Sequence, residues 1–377
     1  MRVGLDARAL ASESPTGVER YVISLVRGLA ELDDAPQIVA YLDRPIPDRD
    51  LERVANSGSL RTKLIRARRG WLRAALPWHL WRDRVEVVHL PSTILPPLLP
   101  CPAVVTVHDL AWTRYPETYP PDDLRMQRTA VPRAVRRAAH VITCSHSTAR
   151  DVEQVLGVPA QRMTAIPLAA APEFSPDGPG LAADAFPAAH RLSRGYVLHS
   201  GRLEPRKNLM RLLDAYRKAR EATSVPPLVL VGGRTEHADK LAARAREIGL
   251  AEQVLFLGYV PASILPALYR SATICVYPSL YEGFGYPVAE AMGSGTPVIT
   301  SNVSSMPEVA GDAALLVDPA SVDELASALV RLLTDEALRQ GLRARGLARS
   351  REFSWQRVAR DTAAVYRQVG CGETPRS

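Results

Sequence analysis

Cysteine is scarce in this sequence. Its four copies, Cys101, Cys144, Cys275 and Cys371, lie so far apart in 377 residues that there is no CxxC pair and no Cys/His cluster at metal-ligand spacing. This excludes a disulfide framework and a structural zinc site, and fits a reducing compartment. Long apolar runs are missing too: no window of about 18 uncharged apolar residues occurs, so no segment reads as a membrane span. The opening MRVGLDARAL is interrupted by Asp6 and Arg8 and reads as a short strand rather than a signal peptide. The expectation is a cytoplasmic protein, with peripheral contact to the inner face of the cell membrane kept open. What is present, 46% hydrophobic and 23% charged residues, excludes a disordered or fibrous chain. At roughly 100–200 residues per domain, the length suggests two domains.

Charge is unevenly placed. The whole chain carries a formal +7, and the stretch 44–84, with eleven basic residues against four acidic ones, matches that excess alone. The same stretch holds Trp71, Trp78 and Trp81, interleaved with Arg and Leu in RARRGWLRAALPWHLWRDR. Two readings stand: a helix that packs Trp and Leu on its own domain with Arg outside, or a segment lying on an anionic leaflet. Nucleic-acid binding is disfavoured because the excess is local and no recognition motif accompanies it.

Short β-branched runs alternate with helical patterns throughout, which predicts parallel sheets with crossover helices. Strands are expected at 3–6, 38–42, 85–90, 103–108 and 141–144, then at 196–200, 228–231, 254–257, 274–277, 298–300 and 315–317. The fold class is therefore α/β, two Rossmann-like doubly wound domains facing across a cleft. The expected boundaries are a first domain over 1–175, a linker over 176–194 that is rich in Ala, Pro and Gly, a second domain over 195–352 and a last helix within 353–377. Helices are expected from Gly17 to about Leu32, after PRKN from Asn208, after Pro287, and from Ser354 as N-cap to about Gln368.

In doubly wound sheets, ligands gather at the carboxyl ends of strands, where helix N-termini offer N–H groups to anions. The strand at 196–200 is followed by GRLEPRKN, in which Arg202 and Lys207 can hold a diphosphate, one as a fork and one as a point charge; otherwise they mark an exposed basic loop. After the strand at 274–277 comes YEGFGYPVAE. Glu282 precedes Gly283, Phe284 and Gly285, and Glu290 is expected in the first turn of the following helix. A carboxylate can accept two neighbouring hydroxyls, so the pair suits two diols on either side of a phosphate, the layout of a sugar nucleotide; otherwise Glu282 starts a loop and Glu290 favours the helix dipole. His108, at the end of its strand, is either a satisfied core residue or a site residue. Gly17 can approach phosphates from the opposite wall, although no GxGxxG follows that first strand. Ser145 reads as an N-cap, and Asp48-Arg49-Asp50 as a surface loop that holds no divalent metal.

Taken together, GRLEPRKN, EGFGYPVAE and AMGSGTPVITSNVSSMPEVAGDAALLVDP resemble the retaining glycosyltransferase family 4, of GT-B fold. TGVERYV, VVHLPS, VTVHDLAW and TCSHSTARDV extend the resemblance over nearly the whole chain. The resemblance implies a nucleotide-sugar donor bound by the second domain, an acceptor bound by the first, and no metal or other cofactor. It also implies a final helix that crosses back onto the first domain. Arg202 and Lys207 would hold the diphosphate, Glu282 and the N–H groups of Gly283, Phe284 and Gly285 the transferred sugar, and Glu290 the ribose. Gly17 would approach the phosphates, Tyr259 and Val260 would hold the base, and His108 would lie beside the anomeric carbon. The first glycine loop is shortened to SPTGVER, so that approach rests on Gly17 alone. The branch resembled is mannosyltransferase-like, which makes GDP-mannose the expected donor; UDP-glucose, UDP-N-acetylglucosamine and dTDP-rhamnose stay open. The expected acceptor is a saccharide or lipid-linked saccharide of a surface polysaccharide. The alternatives are a GT-B phosphorylase or epimerase, or a non-catalytic nucleotide-sugar-binding regulator.

Overall fold

The computed structural model describes residues 1–11, 17–46, 60–67, 70–182, 192, 195–233 and 235–372. The chain divides into two compact units, Met1–Leu168 with Ser354–Ser377, and Ala169–Phe353.

The first unit is built on seven parallel strands: β1 Arg2–Asp6, β2 Gln37–Leu42, β3 Leu60–Leu64, β4 Val87–Leu90, β5 Ala103–Val107, β6 His140–Thr143 and β7 Met163–Ala165. They lie in the order β3-β2-β1-β4-β5-β6-β7, all pairs parallel, so the order reverses between β1 and β4. β4, β5 and β6 are buried at every position, as expected of parallel strands covered on both faces. The sequence pattern misses β3 and β7. β3 reads LRTKL and pairs with β2 from Ile38↔Leu60 to Leu42↔Leu64 at the sheet edge, where Arg61 and Thr62 are exposed. β7 is three residues long, too short for any periodicity.

The last helix, Trp355–Gly370, belongs to this first unit. Ser354 caps it, its side chain accepting the Arg357 N–H at 3.2 Å. One face buries Trp355, Val358, Ala359, Thr362, Ala363 and Tyr366 and lies on the helix Gly17–Ala30. Gly28 permits this approach, since a Cβ there would stand 2.7 Å from the Trp355 carbonyl oxygen. A polar chain then fastens the helix to the sheet. The Tyr366 hydroxyl hydrogen-bonds His89 Nδ1 at 2.7 Å, His89 Nε2 bonds Thr106 Oγ1 at 2.8 Å, and Thr106 bonds the Tyr21 hydroxyl at 3.2 Å.

The second unit has six parallel strands: β8 Val197–Ser200, β9 Leu228–Val231, β10 Val254–Gly258, β11 Ile274–Tyr277, β12 Val298–Ser301 and β13 Ala314–Val317. Their order β10-β9-β8-β11-β12-β13 reverses between β8 and β11, the dinucleotide-fold order. The segment from Ala169 packs here because Arg270 ties it down: Nη1 donates to the Ser175 carbonyl at 3.1 Å and Nε to that of Pro179 at 3.0 Å. Phe174 adds an edge contact to Tyr269, 5.7 Å between ring centres. The boundary therefore falls at Leu168/Ala169. Of the linker expected over 176–194, residues 183–191, 193 and 194 lie outside the described residues. Among the described residues no helix is long and apolar enough to cross a membrane.

His89 is fully buried, and burial pushes its pKa down to about 3. Its unfolded counterpart takes a proton near 6.5, so the contribution of neutral His89 is complete above that pH and is lost as pH falls toward 3. Tyr366→Phe leaves His89 Nδ1 without its partner and should cost about 1–3 kcal/mol, read as a lower urea midpoint with no change in m-value.

Candidate functional site

The site grows from the two strands where the second sheet reverses. After β8, Gly201 adopts φ +146°, and the chain makes a 3-10 turn at Pro205–Lys207 before Asn208, at φ +63°, turns it into the helix Leu209–Ala222. Asn208 is anchored by donating its side-chain N–H to the Pro319 carbonyl at 2.7 Å. The loop after β11 is laced to this turn: the Leu280 N–H donates to the Arg206 carbonyl at 2.9 Å, and Ser279 Oγ lies 3.2 Å from the same oxygen. A third loop, after β12, supplies Ser304, which accepts the Glu282 N–H at 3.0 Å, and Ser305, which donates to the Glu282 carbonyl at 3.0 Å.

These loops converge on the Glu282 carboxylate. Oε1 accepts from Ser279 Oγ at 2.6 Å, from the Tyr277 hydroxyl at 2.9 Å and from Lys207 Nζ. Oε2 pairs with Arg206 Nη1 at 3.1 Å. Lys207 Nζ also donates to the Tyr277 hydroxyl at 2.8 Å, and Arg206 Nη2 holds Glu204 Oε1 at 2.8 Å. Burial by itself would raise the Glu282 pKa, but Arg206 and Lys207 outweigh it and hold the carboxyl down at about 2. Burial lowers the pKa of Lys207 as well, against the pull of Glu282. His199 stacks on Tyr277, 5.3 Å between rings at 12°, and donates Nδ1–H to the Val276 carbonyl at 3.1 Å. Burial pushes its pKa down to about 4.

Of the residues marked in the sequence, Lys207 and Glu282 are brought into direct contact. Arg202 is not: its side chain is 75% exposed, and its nearest acid is Glu204 at 3.9 Å. Gly283, Phe284 and Gly285 follow Glu282 as buried positions. Gly285 caps the helix Tyr286–Gly293 at φ +107°, and a Cβ there would stand 2.2 Å from Met306 Cε. Because this left-handed cap starts the helix at Tyr286, Glu290 lies beyond the first turn where it was expected. It is 1% exposed and accepts from the Tyr269 hydroxyl at 3.1 Å. Tyr259 is exposed and Val260 buried, just past β10.

In the first unit His108 stands one residue past β5. It donates Nε2–H to the Pro91 carbonyl at 3.2 Å and meets the edge of Tyr21 at 5.0 Å, and burial lowers its pKa. Gly17 opens its helix, and a Cβ there would meet open space. A pocket of about 440 Å³ lies where this sheet reverses, lined by Asp6, Arg8, Glu19, Asp43 and Ser92 among others. Ser145 is an N-cap, accepting the Thr148 N–H at 3.0 Å. Asp48, Arg49 and Asp50 lie outside the described residues.

Sequence reading missed Arg206, Tyr277 and Ser279. The signal was available: Arg206 adjoins Lys207 in a PRK turn, and Tyr277 and Ser279 are polar residues at and just beyond the end of an otherwise apolar strand. Arg206→Ala should raise the Glu282 pKa from about 2, and Arg206→Lys should restore part of the depression; a carboxyl-carbon NMR titration reads both. Since the ordinary glutamate pKa is about 4.3, the stability contributed by ionised Glu282 is complete above that value and is lost as pH falls through about 2.

Residues 15–174 match the family described as Glycosyltransferase Family 4, and residues 183–349 match Glycosyl transferases group 1. Among curated proteins, the O-antigen chain mannosyltransferase B of Escherichia coli is 32% identical over 369 residues, 93% of this chain and 96% of that protein. The MMP alpha-(1->4)-mannosyltransferase of Mycolicibacterium hassiacum is 33% identical over 63% of this chain and 56% of its own length. Among solved structures, a sucrose-phosphate synthase from Thermosynechococcus elongatus superposes with a TM-score of 0.76 at 23% identity, covering 99% of this chain and 100% of that one. With its two Rossmann-like parallel sheets, the chain belongs to the family 4, group 1 glycosyltransferases of GT-B fold.

Proposed function

We propose that this glycosyltransferase is a retaining, metal-independent hexosyltransferase that moves mannose from GDP-mannose to a saccharide or lipid-linked saccharide acceptor. The setting proposed is surface-polysaccharide synthesis at the cytoplasmic face of a membrane. The mannosyltransferase names of its relatives support the sugar. The observation that carries the reading is the contact of buried Lys207 with ionised Glu282 where the second sheet reverses.

Breaking the bond between a sugar and a diphosphate leaves growing negative charge on the phosphate and positive charge on the sugar ring. Lys207, dry and fixed by Tyr277 and Glu282, and Arg202, free to swing from an exposed loop, supply the opposing charge in place of a metal. Positive groups fixed in advance in a dry site stabilise such charge without reorganising. Glu282, ionised at all ordinary pH values, accepts hydroxyls of the transferred sugar. Glu290 takes the ribose by exchanging its Tyr269 hydrogen bond for a diol, and the backbone at Tyr259 and Val260 takes the base. Gly17 approaches the phosphates from the first unit, and His108 lies beside the anomeric carbon near the acceptor. Glu282 is committed to two cations and two hydroxyls, which suits a hydrogen-bond acceptor better than a nucleophile. The proposed route is therefore front-face: the acceptor oxygen bonds the anomeric carbon as the phosphate departs from the same side, and the phosphate takes the acceptor's proton.

Lys207→Ala should lower kcat about 10²–10³-fold, some 2.7–4 kcal/mol; unchanged turnover would remove Lys207 from the chemistry. In a thermal-shift panel GDP should stabilise the chain more than UDP or dTDP at equal concentration, by about 2.7 kcal/mol at one hundred times its Kd. A larger shift with UDP would replace the proposed donor, and binding without turnover against every acceptor would favour a regulator.

A further inference from the structure

The basic, tryptophan-bearing segment of the first unit is sorted by the structure in a way its sequence did not show. Trp71 is buried, with the Arg8 guanidinium 4.5 Å over its ring, so it is part of the domain. Trp78 and Trp81 are 51% and 68% exposed. They are three apart on the helix Leu76–Arg82, hence on one face, while Leu76 and Leu80 turn inward and are fully buried. The helix is thus apolar toward the core and aromatic toward the outside.

A cation adjoins the aromatic pair. Arg82 lays its guanidinium 4.6 Å over the Trp78 ring, and Arg61 and Arg82 are both exposed. Arg61 on β3 and Arg82 on the helix line the same hollow, so strand edge and helix form one surface. Asp83 in that hollow is neutralised chiefly by Lys63, whose Nζ donates to both its oxygens at 2.6 and 2.5 Å; the Tyr41 hydroxyl donates at 2.9 Å, and Arg82 Nε makes a longer contact of 3.3 Å that leaves its guanidinium exposed. Glu86 nearby is engaged by the Met1 amino group and the Arg2 N–H.

From this arrangement we infer that the helix Leu76–Arg82 and the β3 edge dock the first unit onto an anionic lipid surface. Trp78 and Trp81 enter the headgroup layer, and Arg61 and Arg82 meet lipid phosphates. Tryptophan suits that layer because its ring is apolar and its N–H is polar. Two exposed tryptophans beside exposed arginines match the apolar and anionic layers of a lipid headgroup region. The cations on β3 discourage a second copy from adding a strand there. The inference is independent of which sugar nucleotide is bound, and gains its purpose from the lipid-linked acceptor proposed above.

The test is sedimentation of the full chain with phosphatidylcholine vesicles, with and without phosphatidylglycerol, which reads binding and not turnover. The chain should pellet with the anionic vesicles at low salt, stay in solution with the neutral ones, and be released by salt. Arg61→Gln/Arg82→Gln should lower partitioning about 30-fold, at about 1 kcal/mol per cation near the surface. Trp78→Ser/Trp81→Ser should lower it comparably and abolish a blue shift of tryptophan emission on binding. Equal recovery in the supernatant with both vesicle types would overturn the inference. So would a tryptophan variant that pellets like the parent, or one that changes only the oligomeric state in lipid-free sedimentation, which would make the face a contact between copies.

Discussion

A carboxylate taken out of water must be paired, and in the second unit that requirement organises three loops at once. Glu282 without Arg206 and Lys207 would be an uncompensated buried charge, a strongly destabilised state. Its partners come from the loop after β8, its own hydrogen-bonding neighbours from the end of β11 and just beyond, and its backbone support from Ser304 and Ser305 after β12. β8, β11 and β12 are consecutive in the sheet, so the ion cluster pulls the carboxyl ends of three neighbouring strands into one fixed surface. Topology chooses the place. At the reversal between β8 and β11 the crossover connections run to opposite sides, which leaves room above the strand ends.

The first unit answers the same opening differently. Where its sheet reverses, Asp6 at the end of β1 is gripped by Arg8, through Nε at 2.9 Å and Nη2 at 2.8 Å. Arg8 then spreads over Trp71, the first residue of the turn that leads into the helix Leu76–Arg82. The pocket at the strand ends and the helix carrying Trp78 and Trp81 therefore share one anchor. A guanidinium can serve both at once, because its edge forks a carboxylate while its face stacks on an indole.

How much of this was legible follows from what each residue type reports. Central strands announce themselves as apolar runs because both their faces are covered, and the runs at 103–107 and 274–277 mark β5 and β11 directly. β3 could not be read, since an edge strand owes its pairing to β2 and keeps Arg61 and Lys63 among only two apolar residues. Caps were readable from Ser145 and Ser354, where one oxygen meets one N–H. In the site, Lys207 and Glu282 were legible as charges after strand ends. The partnership of Arg206 was not, because whether Arg202 or Arg206 turns inward depends on the 3-10 turn at Pro205–Lys207, a backbone choice that charge spacing does not encode. The depth of Glu290 depended likewise on Gly285 starting its helix early.

The charge inventory of the cluster links its structure to its proposed chemistry. Arg202, Arg206 and Lys207 stand against Glu204 and Glu282, so one positive charge is in surplus. The internal pairs hold Arg206 and Lys207 in place, and the surplus appears on Arg202, the exposed member with only a long contact to Glu204. In the proposed reading, a dianionic diphosphate meets the exposed cation of Arg202 first and the fixed, buried one of Lys207 second. This division follows from the side chains themselves: a weakly hydrated guanidinium can wait in solvent and fork two oxygens, whereas an ammonium gives up its strong hydration only where Tyr277 and Glu282 replace it. Exchanging the two residues would put the strongly hydrated group in water, where it binds phosphate weakly, and the broad fork in a slot shaped for a point charge. The order arginine outside, lysine inside is thus set by solvation, and the largely buried Glu282 sets which position counts as inside.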